Sequence, residues 1–211
     1  MSEWGERVIE YLLQLGNAGC QGNVQDYSAW MRYVYNYDVT SDSLRGCLDS
    51  MVQDGHFRTH PEIPSEYLAA RPPELPARVE YTVSGDLNHS PLQMVRSRLE
   101  AFLRHHGASE DEVIDVSIAT TEAMENAVKY SDHRNIDLCY QIQDRVFDIR
   151  IVNRIGNVEP EQDIESGKYS GSLTLMRGMM VMVKLFDEMD IDISEEQQQA
   201  IFTAHKKLGD T

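Results

Sequence analysis

Two periodicities alternate along this chain. Apolar residues at spacings of three and four mark helices, and every-second-residue alternation marks half-buried strands. Residues 3 to about 16 carry Trp4, Val8, Tyr11, Leu12 and Leu15 on one helical side, with Gly16 near the stop. A polar turn with Gly19, Gly22 and Asn23 follows, and Asp26 is the expected cap of a second helix carrying DYSAWMRYVYNY. Thr40 or Ser41 caps a third helix whose buried stripe is Leu44, Leu48 and Met51. Gly55 ends it, and His56-Phe57-Arg58 begins a short strand.

Prolines 61, 64, 72, 73 and 76 then interrupt the pattern. Proline lacks a donor and fixes its own φ, so this stretch reads as an extended linker with a domain boundary near 70–77. From Arg78, Val79, Tyr81 and Val83 alternate with polar neighbours as in a strand. Ser90-Pro91 supplies an N-cap and first-turn pair for a helix with Leu92, Val95, Leu99, Phe102 and Leu103 inside, ended by Gly107. His105 and His106 sit in its last turn, where the helix dipole favours cations, and read as that before they read as metal ligands.

The most regular helical stretch is 113–132, VIDVSIATTEAMENAVKYSD, with Val113, Val116, Ala119, Ala123, Ala127 and Tyr130 on one stripe. Ser109 and Glu112 form a capping-box start. Beyond it, Ile136, Leu138, Tyr140 and Ile142 alternate, as do Phe147, Ile149 and Ile151, with Gln143-Asp144 as the hairpin turn. A helix from 172 to about 183 carries Met176, Met179, Met180 and Met182, read as core-filling. Strands at 185–193 and 200–206 close the chain. The expected organisation is a small, mostly helical, winged-helix-like domain over 1–70, a proline-rich linker over 71–77, and an α/β domain over 78–208. That last domain is expected as a two-layer sandwich with helices on one face of a mixed sheet.

Composition narrows the function classes. The 211 residues carry 41% hydrophobic and 26% charged residues, as ordinary soluble proteins do. A net charge of −16 disfavours non-specific binding to nucleic acid or an anionic membrane surface. No lysine precedes Lys129, and residues 1–70 hold four arginines against ten acids. The third helix offers only Arg45 to a phosphate, against Asp42, Asp49 and Asp54, so a DNA-reading regulator built on 1–60 is disfavoured. A protein-docking or dimerising module fits that charge better. Among the aromatics Tyr27, Trp30, Tyr33, Tyr35 and Tyr37, core is the expected place, with Tyr35 and Tyr37 the more exposed pair. Cys20, Cys47 and Cys139 lack metal-ligand spacing and read as free thiols of a reducing compartment. With no leader and no long apolar run, the expected location is cytoplasmic, away from the membrane.

Glu122 and Asn126, four apart, project from one helix face and could share a metal-phosphate ligand; a plain solvated face is the alternative. The run Glu122-Ala-Met-Glu-Asn126-Ala-Val-Lys-Tyr130 resembles the N-box of the GHKL (Bergerat-fold) ATP-binding superfamily, which includes gyrase, MutL and histidine kinases. The form E-A-x-x-N-A is most similar to the anti-sigma-factor serine kinases of bacterial partner switching. That resemblance implies a base role for Glu122 and magnesium coordination by Asn126, with ATP and Mg²⁺ as the bound pair. It further implies that the strand ending at Asn153-Arg-Ile-Gly156 holds adenine. There the family's D-x-G-x-G becomes N-x-I-G, with Asn153 for the aspartate and Ile155 for the first glycine.

Ser170-Gly171-Ser172-Leu-Thr-Leu-Met is similar to the family's second glycine box, G-x-G-L-x-L-M, which cradles phosphates at a helix N-terminus. Lys168 could reach a phosphate, with an exposed loop lysine as the alternative, and Gly167 and Gly171 suggest a lid over 157–171, or a loop with no ligand. The implied activity is transfer of the γ-phosphate of ATP to a protein serine. The expected partners are an anti-anti-sigma (STAS-like) protein or a sigma factor, with homodimerisation left open. The alternative is a non-catalytic, protein-binding relative that has lost nucleotide.

Overall fold

A computed structural model describes residues 3–71, 73–85, 92–155, 170–194 and 196–209, with the backbone alone at 3–4, 133 and 170–176. The chain divides into two compact units, one formed by 1–76 with 93–107, the other by 77–92 with 108–211.

In the first unit, α1 (Glu3–Asn17), α2 (Val24–Tyr35) and α3 (Ser41–Gln53) lead into a hairpin of β1 (Phe57–Thr59) and β2 (Tyr67–Ala69). The cap of α2 is Asn23, not Asp26. The Asn23 side chain accepts from the Gln25 and Asp26 amides, and the Asp26 carboxylate reaches back to the Asn23 N–H at 2.8 Å. Asp26 is thus the N3 residue that closes the capping box. Val8, Leu12, Trp30, Met31, Leu44, Leu48 and Phe57 are buried and form the core. Tyr27 is buried with them, its hydroxyl donating to the Cys20 carbonyl at 2.9 Å. Tyr35 and Tyr37 are only half-buried, and Tyr35 stacks on Tyr11 at 4.0 Å.

The helix α4 (Leu92–His105), expected with the C-terminal domain, groups instead with this first unit. Its contacts explain why. Gly19, at φ +84°, lies so close to α4 that a Cβ there would stand 2.6 Å from the Ala101 Cβ. Ser97 Oγ accepts the Gln21 N–H at 3.1 Å. At its end, His105 Nε2 accepts the Leu75 N–H at 3.4 Å and His106 Nε2 lies 3.3 Å from the Pro76 carbonyl. The two histidines pin the proline segment.

The second unit is built from β3 (Arg78–Ser84), α5 (Glu110–Lys129), β4 (Ser131–Gln143), β5 (Val146–Ile155), α6 (Ser170–Leu185), β6 (Glu188–Ser194) and β7 (Gln199–Lys207). Among the described residues its five strands run in the order β3-β4-β5-β7-β6, and every pairing is antiparallel. The expected mixed sheet is therefore corrected. Short connections join β4 to β5 and β6 to β7, and a two- to four-residue turn can only return the chain antiparallel. The first hairpin turns at Asp144 and Arg145, both at positive φ (51° and 63°), because Gln143 still pairs with Val146.

One sheet face carries Leu138, Tyr140, Phe147, Ile149, Ile151 and Phe202, all buried, and the other carries Asp137, Asp148, Arg150 and His205. Helices α5 and α6 accompany the sheet in this unit; α5 packs on β4, β5 and β7, and α6 runs along α5. Burying Val113, Val116, Met124 and Val128 contributes roughly 1.5–3 kcal/mol per side chain, which anchors the helix that carries the candidate site.

Candidate functional site

Helix α5 presents the candidate pair because both of its ends are fixed. At its start the Ser109 hydroxyl accepts the Glu112 N–H at 3.4 Å, and the Glu112 carboxylate accepts the Ser109 N–H at 2.7 Å. The other carboxylate oxygen of Glu112 accepts the Gly209 N–H at 2.5 Å, tying the end of the described chain to the helix start. At the far end, Ser131 Oγ donates to the Val128 carbonyl at 2.9 Å, and the chain enters β4 at once.

Glu122 and Asn126 lie one turn apart on this helix and both meet α6 at Gly178. A Cβ built on Gly178 would stand 2.8 Å from Glu122 Oε2 and 3.4 Å from Asn126 Nδ2. The two side chains are half-buried and share one notch beside Gly178. Asn126 Nδ2 is buried with no hydrogen-bond partner among the described residues. Leaving such a donor unmade costs about 1–3 kcal/mol. The carboxamide has both an oxygen and an NH₂ to offer.

Two further polar groups on α5 went unmarked by periodicity. Ser117 Oγ and Thr120 Oγ1 are also buried without partners among the described residues. Their signal was present in the sequence as hydroxyls inside an otherwise apolar stripe. Gly178 was missed too, since a glycine among methionines at 176–182 carries no chemistry of its own.

Asn153 is on β5, the central strand, opposite Ile136 on β4 and Ala200 on β7. It shares the helix-side face with Ile149 and Ile151 and is 5% exposed. Its Nδ2 donates only to the neighbouring Arg154 carbonyl, at a long 3.4 Å. Ile155 continues the strand without a break: it pairs with Ser131 across a bulge, and its N–H donates to the Gln198 carbonyl at 3.0 Å. Gly156 and Lys168 lie outside the described residues, as does nearly all of the 157–171 segment expected as a lid or a ligand-free loop. Ser170, Gly171 and Ser172 form the first turn of α6 in backbone terms, at the end where free N–H groups favour anions.

The pair does not line one surface depression of this unit. A depression of about 400 Å³ lined by Glu80, Thr82, Asp137, Cys139 and Arg150 opens on the opposite sheet face. Among the described residues no group of three or more His, Cys, Asp or Glu side chains could hold a metal. No described helix is long and apolar enough to cross a membrane.

The profile of the histidine kinase-like ATPase domain matches residues 86–204, more than half of the chain. The solved structure of the RsbU and RsbW domains of Rv1364c from Mycobacterium tuberculosis is similar at 16% identity with a TM-score of 0.49. The similarity covers 81% of this chain and 41% of that one, so this chain spans about two fifths of its length. No curated protein matches the sequence.

Proposed function

This chain belongs to the histidine kinase-like ATPase domain family, and we propose that its second unit binds ATP with magnesium and phosphorylates a serine on a protein partner. On this reading it is a signalling regulator of the anti-sigma-factor serine kinase type. The observation that carries the proposal is the notch at Gly178, where Glu122 and the unpartnered Asn126 amide converge. An unmet amide N–H beside a carboxylate suits an acceptor ligand such as a phosphate oxygen, which supports this reading.

When bound, magnesium neutralises charge on the β- and γ-phosphates. Asn126 would hold it through Oδ1. Glu122 would accept the proton of the partner's serine hydroxyl as the oxygen bonds to γ-phosphorus, while the bond from γ-phosphorus to the β–γ bridging oxygen breaks and ADP departs. Asn153, on the helix-side face of the central strand, would accept from the adenine amino group, with Gly156 beside it. Ser170, Gly171 and Ser172, at the start of α6, would offer their amides to the phosphates. Ile118 and Ile114, exposed one and two turns before Glu122 in the same four-residue row, would give a protein partner an apolar surface next to the carboxylate. The partner class is an anti-anti-sigma (STAS-like) protein or a sigma factor, and the acidic first unit would serve docking or dimerisation.

One observation favours a second reading, a protein-binding module without nucleotide. Ile155 stays in the strand, pairing with Ser131 across a bulge, where the family keeps a glycine, so its branched side chain would stand at the adenine corner. Calorimetry with ATP and Mg²⁺ separates the two. Binding in the millimolar range or tighter, abolished in Asn126→Ala, supports the kinase reading; no heat from the unsubstituted protein leaves the binding module.

A further inference from the structure

The structure assigns Gly178 as a positioning residue for Glu122, an inference that rests on the kinase reading above. Gly178 and Met182 share one four-residue row on α6, Phe186 continues it just past the helix end, and all three are buried. Met182 and Phe186 fill that row with large side chains, whereas position 178 has none. Its backbone is ordinary α-helix, so no dihedral demand calls for glycine. Glycine inside a helix is also the least favourable ordinary residue short of proline. Space is what remains as the reason: the Glu122 carboxylate occupies the place where the Gly178 side chain would be.

The two distances predict a selective effect. A methyl at 178 would sit 2.8 Å from Glu122 Oε2, closer than real Cβ atoms come, so the carboxylate must swing away. At 3.4 Å from Asn126 Nδ2 the same methyl makes a contact the amide can accommodate. Gly178 therefore governs where the base points and leaves the metal-facing amide nearly in place. Because α6 begins at the 170–172 segment, the notch also ties the base to the helix that would carry the phosphates.

The test is Gly178→Ala, read by three measurements: MgATP affinity by calorimetry, steady-state phosphate release from ATP with water as acceptor, and thermal melting. Misplacing a reacting group by about 1 Å can cost on the order of a hundredfold in rate, so phosphate release should fall about 10- to 100-fold. MgATP affinity should change by less than about threefold, a kcat effect without a matching binding effect. The melting temperature should not fall, since alanine is the better helix former. Glu122→Asp withdraws the carboxylate by one methylene, so adding Gly178→Ala to it should cost much less than in the native background. Unchanged phosphate release in Gly178→Ala, or full additivity of the pair, overturns the inference and leaves the kinase reading standing. A fall in melting temperature with parallel loss of affinity and rate makes the glycine merely structural and likewise overturns it. If the unsubstituted protein binds no MgATP, the kinase reading fails and the inference fails with it.

Discussion

Replacing Glu112 with alanine should loosen the start of the site-bearing helix by a calculable amount. One Glu112 oxygen accepts from the Ser109 N–H at 2.7 Å and the Ser109 hydroxyl at 2.8 Å; the other accepts from the Gly209 N–H at 2.5 Å. Loss of the capping box costs about 1 kcal/mol, and loss of the hydrogen bond to Gly209 roughly 0.5–1.5 kcal/mol. Together these lower the melting temperature by about 3–10 °C, at 2–4 °C per kcal/mol for a chain of this size. The effect has a definite pH signature. Burial pushes the Glu112 carboxyl up, but hydrogen bonds from the Gly209 and Ser109 amides and the Ser109 hydroxyl, with the nearby Arg145 charge, outweigh it and hold the carboxyl below its ordinary value. A depressed carboxyl contributes stability above the unfolded value of about 4.3 and loses it as pH falls through the lower, folded value. Melting followed by circular dichroism should therefore show a clear gap between native protein and Glu112→Ala near neutral pH, closing in acid. No gap at neutral pH, or one of equal size in acid, would refute the reasoning.

Three other outcomes are expected. Ile151→Ala, at a fully buried position on the central strand, should lower stability by about 2–5 kcal/mol, measured by the shift in urea midpoint. Burial drives the Cys20 thiol up to about 12, so in the native protein Ellman's reagent should leave Cys20 unreacted while the half-exposed Cys47 and Cys139 react; denaturation should release the third thiol. Asn153→Asp should tighten nucleotide binding several-fold, because a charged acceptor is roughly twice as strong, while lowering the melting temperature of the free protein, since the carboxylate is buried without a partner.

Much of this architecture was legible because local signals and tertiary packing agree. Ser109 and Glu112 announced the start of α5, and the alternation over 146–152 announced β5. Legibility failed where the deciding contact is distant in sequence. The backbone of β2 lies inside a stretch that its flanking prolines mark as linker, yet Phe57 and Ala69 pair across the hairpin. Nothing in 92–105 itself announces Gly19, 82 residues before Ala101, as its neighbour. The strand β5 runs on through Ile155 because Gln198 and Ser131 pair with it, which the local run Asn153-Arg-Ile does not reveal. Within the site, the Glu122–Asn126 spacing could be read directly because helix geometry fixes it. Gly178 could not, since its part depends on which helix lies across it.

The most direct measurement is a crystal structure with a non-hydrolysable ATP analogue and Mg²⁺. We predict the metal about 2.1 Å from Asn126 Oδ1, with the Glu122 carboxylate facing the γ-phosphate and Gly178 still against it. Nucleotide bound elsewhere, or a metal held by other side chains with Asn126 turned into the core, would contradict it.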